Sequence, residues 1–216
     1  MRKKKITQDK VVYFFNYVFL TLMLLIVLYP LIYIVSCSFS SGNALVSGKV
    51  KFLPVEPTLQ SYKAVFEYRA IWVGYKNSIV YTVLGTLFSV ALTLLAAYPL
   101  SREDLRGGKA FMALFLFTMM FSGGLIPTYL LVKNLGLVNT MWAVILPGSV
   151  SAYNVIVART FFRQNIPQEL LEAAKVDGCS DFRFFMSIVI PLSMPIVAVL
   201  ALWVAVGLWN SYFNPM

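Results

Sequence analysis

The sequence predicts an all-α fold, a polytopic bundle of transmembrane helices, and two observations predict it. Hydrophobic residues make up 59% of the 216-residue chain and charged residues only 12%, whereas soluble domains are about 45–50% apolar and about 25% charged. Charges are also missing from five long stretches, each able to supply the roughly 20 apolar residues that a helix needs to cross a membrane. The stretches are 11–48, 77–101, 110–132, 134–158 and 184–216.

Each uncharged stretch predicts one membrane span. Helices satisfy their own backbone polar groups, as lipid requires, and the alternating segments of about ten residues that build membrane barrels are not seen. The loop over 38–76 between the first two spans is predicted to carry short surface helices. The spans are predicted at about 12–35, 77–98, 110–131, 140–159 and 188–209.

Lys and Arg predict the orientation, because they concentrate in cytoplasmic loops of membrane proteins. Twelve of the 18 Lys and Arg lie in the N-terminal tail and in the loops after the second and fourth spans. We therefore expect a cytoplasmic N-terminus, and we interpret the net charge of +9 as a topology signal rather than a nucleic-acid surface. Five spans would leave the C-terminus outside, so we expect a fragment that shows five of six spans.

Catalytic chemistry is not predicted. The chain has no histidine, which excludes a histidine metal site and a Ser-His or Cys-His pair. The predicted spans lack interior Asp, Glu, Lys and Arg, although such groups usually mark proton-coupled transporters and membrane enzymes. Residues 107–110 resemble the end of a P-loop, but Glu103 and Ala110 replace required residues. We expect no catalytic residue, no metal and no cofactor in this chain.

The loop over 160–187 is predicted to be structured. Pro167 is favoured at the start of a helix, which continues over 168–177, and Gly178 is placed to end it in the left-handed conformation. Ser180 or Asp181 can cap a second helix that leads into the fifth span.

The first of these loop helices has two open interpretations. Leu170, Ala174 and Asp177 share one face by their spacing, and Leu171 lies beside them. Ala173 and Ala174 permit close approach of another backbone. The helix can therefore seat in a groove of a partner protein, or it can lie on the membrane surface.

The same residues resemble a known family. Glu172-Ala173-Ala174, then Gly178, Ile188 and Ile190-Pro191 resemble the EAA loop of bacterial ABC-importer permeases, whose pattern is EAA-x3-G-x9-I-x-LP. Ile190 stands where Leu is usual. Further similarity to the sugar-permease branch, including the maltose type, covers nearly the whole chain. It includes Asn77-Ser78, Ala96-Ala97-Tyr98, Ser101-Arg102, 121–128, 135–137 and 139–140.

The resemblance implies a function and a domain division. It implies that 74–216 is a C-terminally incomplete permease-like transmembrane domain, preceded over 1–73 by a cytoplasmic tail, the first span and an outer loop. It implies a multi-pass permease of the bacterial cell membrane that belongs to an ATP-driven importer of a sugar or oligosaccharide. The implied partners are an ATPase dimer that binds the ATP, a second homologous permease and an extracytoplasmic solute-binding protein.

The resemblance also assigns roles to residues of the EAA loop. It implies that a coupling helix docks on the ATPase through Glu172, Ala173, Ala174 and Gly178, with support from Asp177, Leu170 and Leu171. Two alternatives remain: a scaffold protein that docks a cytoplasmic partner through this loop without moving solute, and a permease for a non-sugar solute. A membrane enzyme is disfavoured by the missing histidine and the missing intramembrane carboxylates.

A solute pathway is the least defined prediction. Hydroxyl side chains recur on one face of the second span at Ser78, Thr82, Thr86, Ser89 and Thr93. They would line a passage for a sugar, or they would pack against neighbouring helices, which is the preferred interpretation. Polar and aromatic residues of the fourth and fifth spans would bind sugar hydroxyls or anchor helices at the membrane interface. They are Tyr153, Asn154, Trp209 and Asn210.

Overall fold

The computed structural model describes residues 2–211, and the side chains of residues 10–211. Within these residues the regular structure is helical and contains no strand, which confirms the all-α class. The predicted C-terminal truncation concerns the chain end, and residues 212–216 lie outside the described part. The helices are α1 (Arg2–Ser38), α2 (Gly42–Val46), α3 (Gln60–Glu67), α4 (Arg69–Ser101), α5 (Gly108–Met120), α6 (Leu125–Asn134), α7 (Met141–Ile145), α8 (Ala152–Asn165), α9 (Gln168–Val176), α10 (Asp181–Phe184), a π-helix (Phe185–Val189), α11 (Ile190–Leu192) and α12 (Met194–Trp209).

The chain divides into two compact units, Met1–Val73 and Gly74–Met216. In the first unit, the part of α1 over Lys10–Ser38 is long and apolar enough to span a membrane. The loop that follows contains the short helices α2 and α3, as predicted. It is held to the end of α1 by Ser36, whose Oγ donates to the carbonyl of Phe52 at 2.6 Å.

The helix that contains the second predicted span begins before that span. Charges at Arg69 and Lys76 place its start at residue 77, but α4 already begins at Arg69. A charged residue does not end a helix, and residues 69–76 contain no proline to interrupt one. The predicted span over 77–98 lies wholly inside α4, and the helix extends beyond it at its N-terminal side.

Two further predicted spans are bent. The span over 110–131 is divided into α5 and α6, which are inclined by 113°. The bend lies at Gly124, whose φ of +83° costs a glycine little. The span over 188–209 is divided near Ser193, where the helical segments on either side are inclined by 80°. Prolines at 191 and 195 lack the amide hydrogen that a continuous helix would use there.

The fourth predicted span, over 140–159, is wrong as a continuous helix. α7 ends at Ile145 and α8 begins only at Ala152, because Pro147 and Gly148 interrupt the helix between them. α8 then continues past the predicted end to Asn165. By length and composition, two helices of the described residues can cross a membrane, or four spans if each bent pair counts as one.

The core of the second unit is aromatic and lies where α4 ends. The ring of Tyr98 lies 5.0 Å from that of Phe185 and 6.2 Å from that of Phe162, measured between centroids. Phe184 and Ala174 belong to the same buried cluster. The loop helices α9 and α10 are thus packed against the ends of α4 and α8.

Candidate functional site

The helix α9 forms as the sequence predicts. It begins after Pro167, whose backbone is extended, and it carries Glu169 in the first turn and Lys175 in the last. Both charges are favourable at those ends of a helix. Gly178 follows with a φ of +72°, as predicted. The local signals of this segment are therefore sufficient to define the helix and its end.

The end of α9 is closed by a Schellman motif. The amide of Cys179 donates to the carbonyl of Ala174 at 2.8 Å, and the amide of Gly178 donates to the carbonyl of Lys175 at 3.0 Å. Ala174 is only 8% exposed and belongs to the core, and Cys179 packs against the same core. The motif thus turns the chain sharply and fixes the inner side of α9.

The two alanines of the EAA motif differ in exposure. Ala174 and the half-buried Leu171 face the core, whereas Ala173 and Glu172 are exposed. The predicted common face of Leu170, Ala174 and Asp177 is only partly exposed: Leu170 and Asp177 are exposed, and Ala174 is turned inward at one edge. Its docking role stays a prediction. Neighbouring side chains on a helix are about 100° apart, so Ala173 can be exposed while Ala174 is buried.

Sequence reasoning missed the most exposed apolar residue of α9. Val176 is 88% exposed and lies beside Ala173 on the outer side. The available signal was an apolar residue between two charged ones, Lys175 and Asp177. On the same side the Nε2 of Gln168 donates to the Oε1 of Glu172 at 3.3 Å.

The second loop helix, α10, is capped by the first of its two predicted candidates. The Oγ of Ser180 accepts a hydrogen bond from the amide of Arg183 at 3.4 Å. Asp181 then lies in the first turn of α10, and its carboxylate is free to bind elsewhere. The buried Phe184 anchors the helix in the core.

An ion-pair cluster joins these loop helices to the end of α4. The Nη1 of Arg102 donates to the Oδ1 of Asp181 at 2.7 Å, and its Nε donates to the Oδ1 of Asp104 at 2.8 Å. The Nζ of Lys175 lies 3.7 Å from the Oδ2 of Asp104. Hydrogen bonding from Arg102 lowers the pKa of Asp104 to about 2, with a smaller contribution from the charge of Lys175. The bond to Asp104 in turn raises the pKa of Arg102.

The hydroxyl face of α4 points into the protein. Ser89 is buried, and its Oγ donates to the carbonyl of Ser149 at 2.6 Å. This bond is consistent with the packing interpretation of Ser89, which stays a prediction. The hydroxyls of Thr82, Thr86 and Thr93 are buried without a hydrogen-bond partner among the described residues.

A cavity of about 410 Å³ lies between α4, α7, α8 and α12. Of the six predicted pathway residues, Ser89 and Asn154 line it. Tyr153 and Trp203 also line it, and their ring centroids are 5.7 Å apart. Sequence reasoning missed Trp203, which carries no local signal because tryptophan is common in membrane helices.

The other four predicted pathway residues do not line this cavity, and neither does Trp209. Ser78, Thr82 and Thr86 lie on α4 on the N-terminal side of Ser89. Asn210 follows α12, and its Nδ2 donates to the carbonyl of Val206 at 2.8 Å. That bond ties the Asn210 side chain to the last turn of α12.

Comparisons with known proteins agree with this arrangement. The polygalacturonan/rhamnogalacturonan transport system permease protein YtcP of Bacillus subtilis (strain 168) is 44% identical over 92% of this chain and 69% of its own length. The galactooligosaccharides transport system permease protein GanQ of the same organism is 34% identical over 94% of this chain and 70% of its own length.

A solved structure shares the fold. It is the crystal structure of a bacterial ABC transporter involved in the import of the acidic polysaccharide alginate. One of its chains matches with a TM-score of 0.90 and 36% identity, over 95% of this chain and 73% of that one. The family model of the "binding-protein-dependent transport system inner membrane component" matches residues 2–213. The chain belongs to this family of membrane transport components, as the EAA-loop resemblance implies.

Proposed function

We propose that this chain is the permease subunit of an ATP-driven importer of sugars or oligosaccharides, with α9 as the helix that docks on the ATPase. One observation carries the proposal. α9 is held to the core by Leu171 and Ala174, while Glu172, Ala173 and Val176 are exposed on the opposite side. A helix that only rests on a membrane would turn its apolar side to lipid, whereas α9 packs Leu171 and Ala174 against its own protein.

The remaining partners and the orientation belong to the same proposal. An ATPase dimer binds the ATP, a second homologous permease completes the membrane pathway, and an extracytoplasmic protein delivers the solute. The description of the family as binding-protein-dependent supports the last of these. The side of the membrane that carries α9 is the cytoplasm, and so is the side of the N-terminus. The ion pairs that hold Arg102, Arg163 and Lys175 near α9 support this, because basic residues concentrate on the cytoplasmic side.

The lining of the 410 Å³ cavity supports a sugar as the solute. The rings of Tyr153 and Trp203 offer apolar faces, and the amide of Asn154 offers donors and acceptors. A few polar groups within a largely apolar cavity are typical of small-molecule sites. The names of the two permease relatives, which concern carbohydrate polymers and oligosaccharides, point to the same class. We include Ser78, Thr82 and Thr86 as a continuation of this pathway along α4, and Asn210 as its most distant member.

A photocrosslinking experiment tests the docking role of α9. A benzoylphenylalanine placed at Val176, which is 88% exposed, should capture an ABC ATPase subunit in native membranes. The matched control is Val46, which is 93% exposed on α2 and is expected on the opposite side of the membrane. Capture of lipid alone at Val176 would favour the membrane-surface interpretation. Capture of a different cytoplasmic protein, without any ATPase, would favour the scaffold.

A further inference from the structure

A basic cavity of about 620 Å³ lies beside the start of α5. It is separate from the 410 Å³ cavity described above, which we call the solute cavity. Four cationic side chains line it, and Glu103 is the acidic side chain among its lining residues. The cations are Arg102, Lys109, Arg159 and Arg163. Like charges that line one cavity destabilise one another. The excess of positive charge therefore favours an anion in the cavity.

Two of the four cations are already neutralised inside the protein. Arg102 binds Asp104 and Asp181, and the Nη2 of Arg163 lies 3.2 Å from the Oε1 of Glu103. These two arginines therefore line the cavity, but their charges are largely compensated by carboxylates of the protein.

The other two cations are available. The Nε of Arg159 donates to the carbonyl of Leu100 at 2.8 Å, which fixes the guanidinium in place. Its two terminal nitrogens have no hydrogen-bond partner within the described residues. Lys109 has no acidic group within ion-pair distance among those residues. A fixed guanidinium and a flexible ammonium are a suitable pair for a phosphate group.

An apolar helix surface leads away from the cavity. Leu100, Leu105 and Ala110 line the cavity next to the cations. α5 begins there and exposes Phe111, Leu114 and Phe117 along its length. An occupant with a phosphate at one end and hydrocarbon chains at the other would match both surfaces.

We propose that this cavity binds the headgroup of an anionic phospholipid, with the phosphate between Arg159 and Lys109 and the acyl chains along α5. Basic pockets between membrane helices on the cytoplasmic side are suited to such headgroups. The site uses no residue of the outer side of α9 and none of the solute cavity. It extends the proposed function because an anionic phospholipid of the membrane becomes a ligand of the permease.

Native mass spectrometry of the purified, delipidated protein tests the proposal. Phosphatidylglycerol and phosphatidylcholine with the same acyl chains are titrated separately, and the midpoint of the first bound lipid is measured. We expect phosphatidylglycerol to bind more tightly. The variant Lys109→Gln should weaken that binding roughly fivefold, as expected for one cation near an anionic headgroup. Lys109 has no ion pair among the described residues, so this substitution leaves the fold intact.

Matched variants and a free anion complete the test. Lys133→Gln removes a cation of α6 that does not line the cavity and should leave the midpoint unchanged. Arg159→Gln should weaken phosphatidylglycerol binding at least as much as Lys109→Gln does. Equal binding of the two lipids, or equal effects of Lys109→Gln and Lys133→Gln, would overturn the proposal. Displacement of the lipid by millimolar inorganic phosphate would assign the site to a free anion instead and would also overturn it.

Discussion

The Nη1 of Arg102 donates to the Oδ1 of Asp181 at 2.7 Å, across 79 positions of sequence. The side chain of Arg102 is only 15% exposed, so solvent screens this bond less than it screens a surface ion pair. The bond joins the end of α4, a helix whose middle lines the 410 Å³ cavity through Gly85 and Ser89, to α10, which follows α9. We therefore expect a displacement of α10 to be transmitted to the end of α4 through this bond.

Removal of the Arg102 guanidinium should lower the free energy of unfolding more than removal of one of its carboxylate partners. Arg102→Gln leaves Asp181 without its charged partner and leaves Asp104 with only Lys175 at 3.7 Å. Because both carboxylates are more than half exposed, we expect about 2 kcal/mol of destabilisation. Asp181→Asn leaves the Asp104 pair intact and should cost about 1 kcal/mol. Thermal unfolding in detergent measures both. Equal losses would contradict a central role for Arg102.

The pKa of Asp104 predicts a pH dependence of this cluster. The folded-state pKa of about 2 lies below the ordinary 3.8, so the pair stabilises the fold fully above about pH 4 and is lost as the pH falls towards 2. The side chain of Asp104 is 52% exposed, which limits the contribution to about 1 kcal/mol. The difference in melting temperature between the natural protein and Asp104→Asn should be constant from pH 5 to 7 and shrink below pH 4. A difference that grows in acid would exclude this linkage.

The adjacent alanines of α9 offer a matched pair of substitutions. Ala174→Leu inserts a larger side chain into a packed core and should destabilise the protein by about 1–3 kcal/mol. Ala173→Leu is on the exposed side and should leave the melting temperature unchanged while it weakens ATPase capture. Both variants are measured by thermal unfolding and by co-purification. A stable Ala174→Leu protein would mean that α9 is not fixed to the core as described.

Glu172 is expected to act in docking rather than in folding. Its intramolecular partner is Gln168, through an exposed and long hydrogen bond, so Glu172→Ala should change stability by less than about 0.5 kcal/mol. Sugar uptake by cells that carry this variant should fall, while the amount of protein in the membrane stays constant. The control is Glu67→Ala, another exposed helical glutamate, paired with Lys63 at 4.0 Å. Unchanged uptake with Glu172→Ala would remove its assigned role.

Ser89 and Ser78 separate the packing and passage interpretations of α4. Ser89→Ala leaves the carbonyl of Ser149 without its bond inside the protein and should cost about 1–3 kcal/mol. Ser78→Ala removes a half-buried hydroxyl of the same helix and should be nearly neutral for stability. Thermal unfolding distinguishes the two. Equal stability of both variants, together with loss of uptake by Ser89→Ala, would favour a passage lined by hydroxyls over packing.

The sequence predicted well wherever a short stretch determines its own conformation. Gly178 ends α9 because its left-handed φ is accessible to glycine, and Ser180 caps α10 because its hydroxyl reaches a free amide within one turn. Such signals depend on neighbours within a few residues. The same holds for the uncharged stretches, which identify membrane helices by composition alone.

The failures concern properties that depend on distant residues. Pro147 and Gly148 break a stretch whose hydrophobicity alone suggests one span. The inward direction of Ala174 and the partners of Arg102 depend on how α9, α10 and α4 pack together. An arginine directly after a long uncharged stretch, followed by two acidic residues, was the available signal for the ion-pair cluster.

The π-helix over Phe185–Val189 has a consequence for helix phase. Successive residues of an α-helix are rotated by about 100°, and a π turn accommodates one residue more than an α turn. Every residue between the π turn and the bend at Ser193 is thereby rotated by about that angle. Deletion of one residue within 185–189 would rotate α11 relative to α10 and shift the point from which the chain bends into α12. When relatives are aligned, a one-residue gap at this point is a change of helix phase rather than a neutral difference in length.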